Sequence, residues 1–271
     1  MVHPLYFVLD IVFAIVLIII LHHDHKIKPM VDSQEKAFRL LINWVIFFCL
    51  QDAVWGICAS DFITSDLPLF IASSVFHFST VLTTFFWLYY ILKYLSDRIL
   101  TNYRRLLLWI DILVIVLQIG LIVTNFYTPL IFEVVQGRYV PAYLRPLAFF
   151  NQYVVYLLIS IITFIFVLAS NGSRHDKYVS VFIFSLAPVL SGAFQLLYPD
   201  GPFYSVGYFL GCFIIHMYVV TQDRDTLKSL QAERKMKEQV KRSLEHIEVH
   251  LVVVCEKLLL RHRGIIPYLP R

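Results

Sequence analysis

Charge is what this chain has least of. Only 15% of its 271 residues are Asp, Glu, Lys or Arg, against about 25% in soluble domains, and the mean hydropathy is +0.71. That scarcity excludes an ordinary water-soluble globule. With 59% hydrophobic residues, the chain belongs among helical membrane proteins of many spans. Cysteine is scarce as well. Cys49, Cys58 and Cys212 sit in apolar runs and Cys255 in the tail; with no CxxC, redox and zinc motifs have no basis, and the first three read as small buried hydrophobes. Catalytic fingerprints are missing too: GxSxG, HExxH, the P-loop and the glycine-rich nucleotide turn do not occur. We therefore expect no enzyme, no cofactor and no metal. Phe203 to Val220 contains no Lys, which excludes a retinal Schiff base.

What is there is a series of apolar runs: Pro4–Leu21, Phe38–Ser60, Leu67–Leu92, Leu106–Thr124, Leu147–Ala169, Tyr178–Tyr198 and Phe203–Val220. About 20 apolar residues cross a bilayer as a helix, so the expected fold is all-α, a bundle of seven transmembrane helices. Of the 23 Lys and Arg residues, 21 fall between runs one and two, three and four, five and six, or beyond Gln222; only Arg138 and Arg145 lie on the other side. Positive charge stays on the cytoplasmic face, which predicts the N-terminus outside, the C-terminus inside and a multi-pass protein of the plasma membrane. The net charge of +4 reflects this asymmetry, so the expected partner is the lipid bilayer and not nucleic acid. The domains expected are a transmembrane domain, 1–221, and a cytoplasmic helix with its tail, 222–271.

Polar residues inside apolar runs are costly and mark interior positions. Asp10, Gln51, Asp52, His77, Asn151, Gln152 and Gln195 share the outer half of their runs, with Tyr204 and Tyr208 near the same level. They are the candidate contacts of an unknown small ligand in an outward-facing pocket; the competing reading is hydrogen bonding that only holds helices together. Asp111 and His216 fall in the inner half and read as structural or coupling residues. The longest outside connection, Asn125–Pro146, carries β-prone stretches on both sides of Gly137, which fits either a small hairpin lid or an irregular loop. His22-His23-Asp24-His25 reads as a solvated cytoplasmic loop, and Asn171-Gly172-Ser173 as a glycosylation pattern on the wrong face.

Beyond Val220 the chain passes without Gly or Pro into a charged, helix-favouring stretch, so one helix is expected from Phe203 to at least Glu245. Val240, Leu244, Ile247, Leu251, Val254 and Leu258 alternate by four and three, a short seam for a parallel homodimer; a single solvated helix is the alternative. Phe184 to Gln195, with its Pro188 and small residues, is followed by Tyr198-Pro199, a glycine-rich seventh run, Thr221-Gln222-Asp223 and Ala232–Glu238. This arrangement resembles the seven-helix N-terminal sensor modules of bacterial GGDEF-type diguanylate cyclases and hybrid histidine kinases. The resemblance implies a membrane sensor that transmits a stimulus through its last helix to an effector. No GGDEF domain or kinase core follows here, so a truncated product is one expectation and no enzymatic activity carries over.

A small-solute transporter or channel is the alternative function, although the halves show no repeat and only one run is broken, at Pro188 and Gly192. A eukaryotic-type G-protein-coupled receptor would need an Asp/Glu-Arg-Tyr end to run three and Asn-Pro-x-x-Tyr in run seven, and neither is present.

Overall fold

The computed structural model describes residues 5–27, 33–60, 65–95, 98–169, 173–198, 202–218, 233–241 and 244. Six long helices, α1 (Leu5–Ile27), α2 (Ser33–Cys58), α3 (Asp66–Leu95), α4 (Arg98–Asn125), α5 (Arg145–Ala169) and α6 (Ser173–Leu197), carry a two-stranded sheet between α4 and α5, β1 (Phe132–Val135) and β2 (Arg138–Pro141). Each of the six is long and apolar enough to cross a membrane. The seventh run forms a shorter apolar helix, α7 (Phe203–Tyr218); Val219 and Val220, and the whole stretch 219–232, lie outside the described residues. The expected unbroken helix from Phe203 to Glu245 therefore falls partly outside them.

The runs became helices for the reason hydropathy suggests: in lipid the backbone must satisfy itself, and a helix does so within one segment. Side chains divide accordingly. Val8, Leu9, Val12, Ile15 and Ile19 of α1 and Leu113, Val116, Leu117 and Val123 of α4 are exposed on the outer faces, where acyl chains would cover them. On α4 the buried residues among those described are Leu107, Asp111, Val114, Gln118, Ile122 and Asn125, spaced three and four apart on one stripe facing inward. The central element is α3, which packs against α2, α4, α5, α6 and both strands. Its buried hydroxyls return their hydrogens to its own carbonyls: Ser74 to Phe70, Ser79 to Phe76, Thr80 to His77, and Thr83 to Ser79, all at 2.8–3.0 Å.

One expectation needs correcting at the end of the first run. His22, His23, Asp24 and His25 do not form a loop; α1 continues through Ile27. Nothing in those residues breaks a helix, and leaving the apolar core is no reason for one to stop.

Small residues set how closely the last helices pack. A Cβ on Gly192 would stand 1.9 Å from the Tyr153 hydroxyl, and one on Gly207 2.6 Å from Ser191 Cβ. Gly211 lies equally tight against Phe184. Glycines at helix contacts in membranes let backbones approach, and here they draw α6 against α5 and α7 against α6.

The connection after α4 is the hairpin, not an irregular loop. Register is Phe132 opposite Pro141 through Val135 opposite Arg138, joined by Gln136 and Gly137 at φ of 53° and 70°. Two central residues of positive φ match the twist of flanking strands. Asn125 fixes the approach: its Oδ1 accepts from the amides of Leu130 and Ile131 at 2.8 and 2.7 Å, and its Nδ2 donates to Phe132 O at 3.0 Å. Asp66 Oδ1, at the start of α3, accepts from Gly137 N at 2.5 Å.

The chain divides into two compact units, Met1–His216 and Met217–Arg271. Within the second, residues 233–241 are helical and carry a Lys237–Glu233 ion pair at 2.7 Å. Val240 and Leu244 are exposed; Ile247, Leu251, Val254 and Leu258 of the expected seam lie outside the described residues.

Candidate functional site

Six helices alternate in direction between short connections, so the start of α1, the end of α2, the start of α3, the end of α4, the start of α5 and the end of α6 meet at the end of the bundle that carries the hairpin. The start of α7 joins them. The interior polar groups gather there.

The innermost cluster is acidic. Asp52 of α2 accepts from the Tyr6 hydroxyl of α1 at 2.8 Å and from Ser205 Oγ of α7 at 2.6 Å, so three helices meet at one carboxyl group. Asp10, one turn beyond Tyr6, lies within electrostatic reach of Asp52 and Ser205. Both Asp side chains are fully buried, and the Asp10 oxygens have no well-formed hydrogen bond. Asp10 and Asp52, both among the candidate pocket residues, therefore lie near each other.

Beside it runs a ladder of hydroxyls between α5 and α7. Tyr153 and Tyr204 stand 2.9 Å apart. Tyr156 donates to Tyr208 at 3.1 Å, and Thr84 of α3 lies 3.0 Å from the Tyr156 hydroxyl. Asp111 of α4, buried with both oxygens unpartnered among the described residues, acts on Tyr156 from the inner side.

Gln51 and Gln195 are occupied as ties. Gln51 Nε2 donates to Ala72 O of α3 at 2.7 Å, while Gln195 Oε1 accepts from Phe203 N at 3.0 Å, satisfying an amide that the first turn of α7 leaves open. These two fit the helix-holding reading better than the pocket. The side chains of Asn151 and Gln152, on α5, lie outside the described residues.

His77 stands apart from the carboxyl pair. It is buried under the hairpin, parallel to the Phe132 ring at 5.7 Å and tilted to Phe149 at 5.3 Å. The Arg145 guanidinium lies over Tyr139 and Phe149 at 5.6 and 5.3 Å. Burial pushes the Tyr139 hydroxyl up to about 12, with Arg145 pulling against that rise.

Sequence reasoning missed Tyr6, Ser205, Tyr153, Tyr156 and Thr84, since lone hydroxyls in an apolar run carry no signal of their own. Tyr6 had one: it stands four residues before Asp10, on the same helix face. Arg145 was visible as one of two basic residues on its side, and was read for orientation alone.

Among the described residues no group of three His, Cys, Asp or Glu side chains could hold a metal ion. Asp52, Tyr153 and Tyr156 each bond directly to a side chain of α7. Comparison with family models, with curated proteins and with solved structures returns no match.

Proposed function

We propose that this chain is the membrane-embedded input part of a signalling protein, which converts an event in its buried polar core into a movement of α7 and of the segment that follows. In this reading the hairpin end faces outward, seven helices cross the plasma membrane, and the C-terminal helix lies in the cytoplasm, where it pairs with a second copy. In this reading the movement is passed on to an effector.

One observation carries the reading. Within its first two turns α7 makes four hydrogen-bonded contacts with other helices, Phe203 with Gln195, Tyr204 with Tyr153, Ser205 with Asp52 and Tyr208 with Tyr156. The interior polar groups are thus invested in the helix that leads along the chain to the charged tail. A transporter would place such groups along a path between two faces, at helices broken near the midplane; here Pro188 alone interrupts a described helix.

The test is a spin label at Met236→Cys, an exposed position in the tail helix, in full-length protein whose native cysteines are replaced by Ser or Ala, held in nanodiscs. Asp52→Asn and Tyr156→Phe should each change the label's mobility or its distance to the label of a second copy. Unchanged spectra in both variants, with the fold retained by circular dichroism, end the sensor reading. Uptake of a solute by proteoliposomes would then favour the transporter.

A further inference from the structure

Five side chains from four elements close a ring beneath the hairpin. His77 of α3 stacks on Phe132 of β1, centroids 5.7 Å apart and planes at 12°. Phe132 stacks on Tyr139 of β2 at 5.5 Å. The guanidinium of Arg145, the first residue of α5, lies 5.6 Å from the Tyr139 ring and 5.3 Å from that of Phe149. Phe149 returns to His77 at 5.3 Å.

The ring is well packed but its hydrogen bonding is incomplete. His77 is 1% exposed, and neither Nδ1 nor Nε2 has a partner among the described residues; nor has the buried Nε of Arg145. Leaving a buried polar group unmatched costs about 1–3 kcal/mol, so such groups call for an explanation. Arg145 is close enough for its charge to act on His77, and no carboxylate among the described residues forms an ion pair with it. The start of α5 adds the positive end of a helix dipole. Donors and positive charge meet in one place, and beyond the Tyr139 hydroxyl, which interacts with Arg145, the His77 nitrogens and Arg145 Nε have no acceptor among the described residues.

We propose that this ring binds a small monocarboxylate with a flat apolar body, its carboxylate taken by Arg145 and an imidazole N–H of His77 and its body by Phe132, Tyr139 and Phe149. A guanidinium pairs a carboxylate through two parallel hydrogen bonds. One arginine among aromatic walls suits one negative charge and an apolar remainder; a phosphate or dicarboxylate would require more cations than the ring holds. Phe149 also stacks on Tyr204 of α7 at 5.4 Å, so an occupant would press on the helix assigned above to carry the signal. In that consequence the proposal rests on the sensor reading; the binding step does not.

The probe is benzoate, titrated into full-length protein in nanodiscs by calorimetry, with benzamide as its uncharged counterpart. Benzoate should bind saturably and at least about tenfold more tightly than benzamide, a gap of roughly 1.4 kcal/mol. Arg145→Gln should remove that preference, and Arg145→Lys should keep part of it. Equal binding of the two probes, no benzoate binding up to roughly 10 mM, or an unchanged preference in a folded Arg145→Gln overturns the proposal. If Arg145→Gln does not fold, the benzoate–benzamide contrast on the unaltered protein decides alone. Benzoate binding without movement of the Met236→Cys label ends the sensor reading and leaves the site; label movement in Asp52→Asn without benzoate binding does the reverse.

Discussion

Ser205→Ala is the sharpest perturbation of the buried core, because it removes one hydroxyl and almost no volume. The bond it deletes, Ser205 Oγ to Asp52 Oδ2 at 2.6 Å, falls in the short range typical of a charge-assisted O–H···O pair. In water-soluble proteins a bond to a charged group contributes about 1.5–3 kcal/mol. Interhelical bonds inside membranes average about 0.6 and reach about 1.7 kcal/mol, since the unfolded chain in lipid finds partners too. Both atoms here are fully buried, and Asp52 keeps a second donor in Tyr6, so the loss should sit near the upper membrane value, about 1.5 kcal/mol. Tyr6→Phe should cost a similar amount, and the pair together more than the sum, because the second deletion strips the carboxyl group of its last donor. Reversible unfolding in mixed micelles, followed by tryptophan fluorescence, measures all three. The same Ser205→Ala change made in an Asp52→Ala background should cost less than about 0.5 kcal/mol. An equal cost in both backgrounds would show that Ser205 acts through packing, and the argument for a carboxyl group binding three helices would fail.

Three further outcomes are expected. A reporter active only in the cytoplasm should work when fused after Val220 and fail when inserted at Gly137; the opposite pattern refutes the orientation. Gly137→Val should destabilise the hairpin by about 1–2 kcal/mol, because Gly137 has φ of 70° and a β-branched residue resists that conformation, while Gln136→Asn should strengthen it; faster or slower hydrogen exchange at Tyr139 and Val140 reads the sign. Cysteines at Leu244 and Ile247 should crosslink two copies in membranes and one at Arg242 should not; absence of capture at all three means that the tail works alone.

The fold was legible where hydropathy and turn chemistry speak directly. Apolar runs gave six helices of spanning length, and β-prone stretches around Gly137 gave the hairpin. The end of α1 was not legible, because His22 to Ile27 look like a loop by polarity while nothing in them stops a helix. In the core, Asp10 and Asp52 share a depth in their runs and lie near each other, since helices that alternate in direction bring matching ends together. Depth could not say what each group does there. Gln195 and Gln51 had the same position in their runs as Asp52, yet their side chains bond the backbone of neighbouring segments. Arg145 was hidden by its usefulness as a topology marker, for its ring contacts depend on a hairpin register that no residue count supplies.

The back-bonded hydroxyls of α3 have a mechanical consequence. A helix that satisfies Ser74, Ser79, Thr80 and Thr83 on its own carbonyls turns a polar sequence into a surface whose contacts there are largely non-directional. The directional ties from α2 to α3 lie elsewhere on its surface, Gln51 Nε2 to Ala72 O at 2.7 Å and Trp55 Nε1 to Ser73 Oγ at 3.0 Å. The directional bonds of Tyr204, Ser205 and Tyr208 are few, short, and each made with another helix. A movement of α7 of the kind proposed above would have to break these bonds.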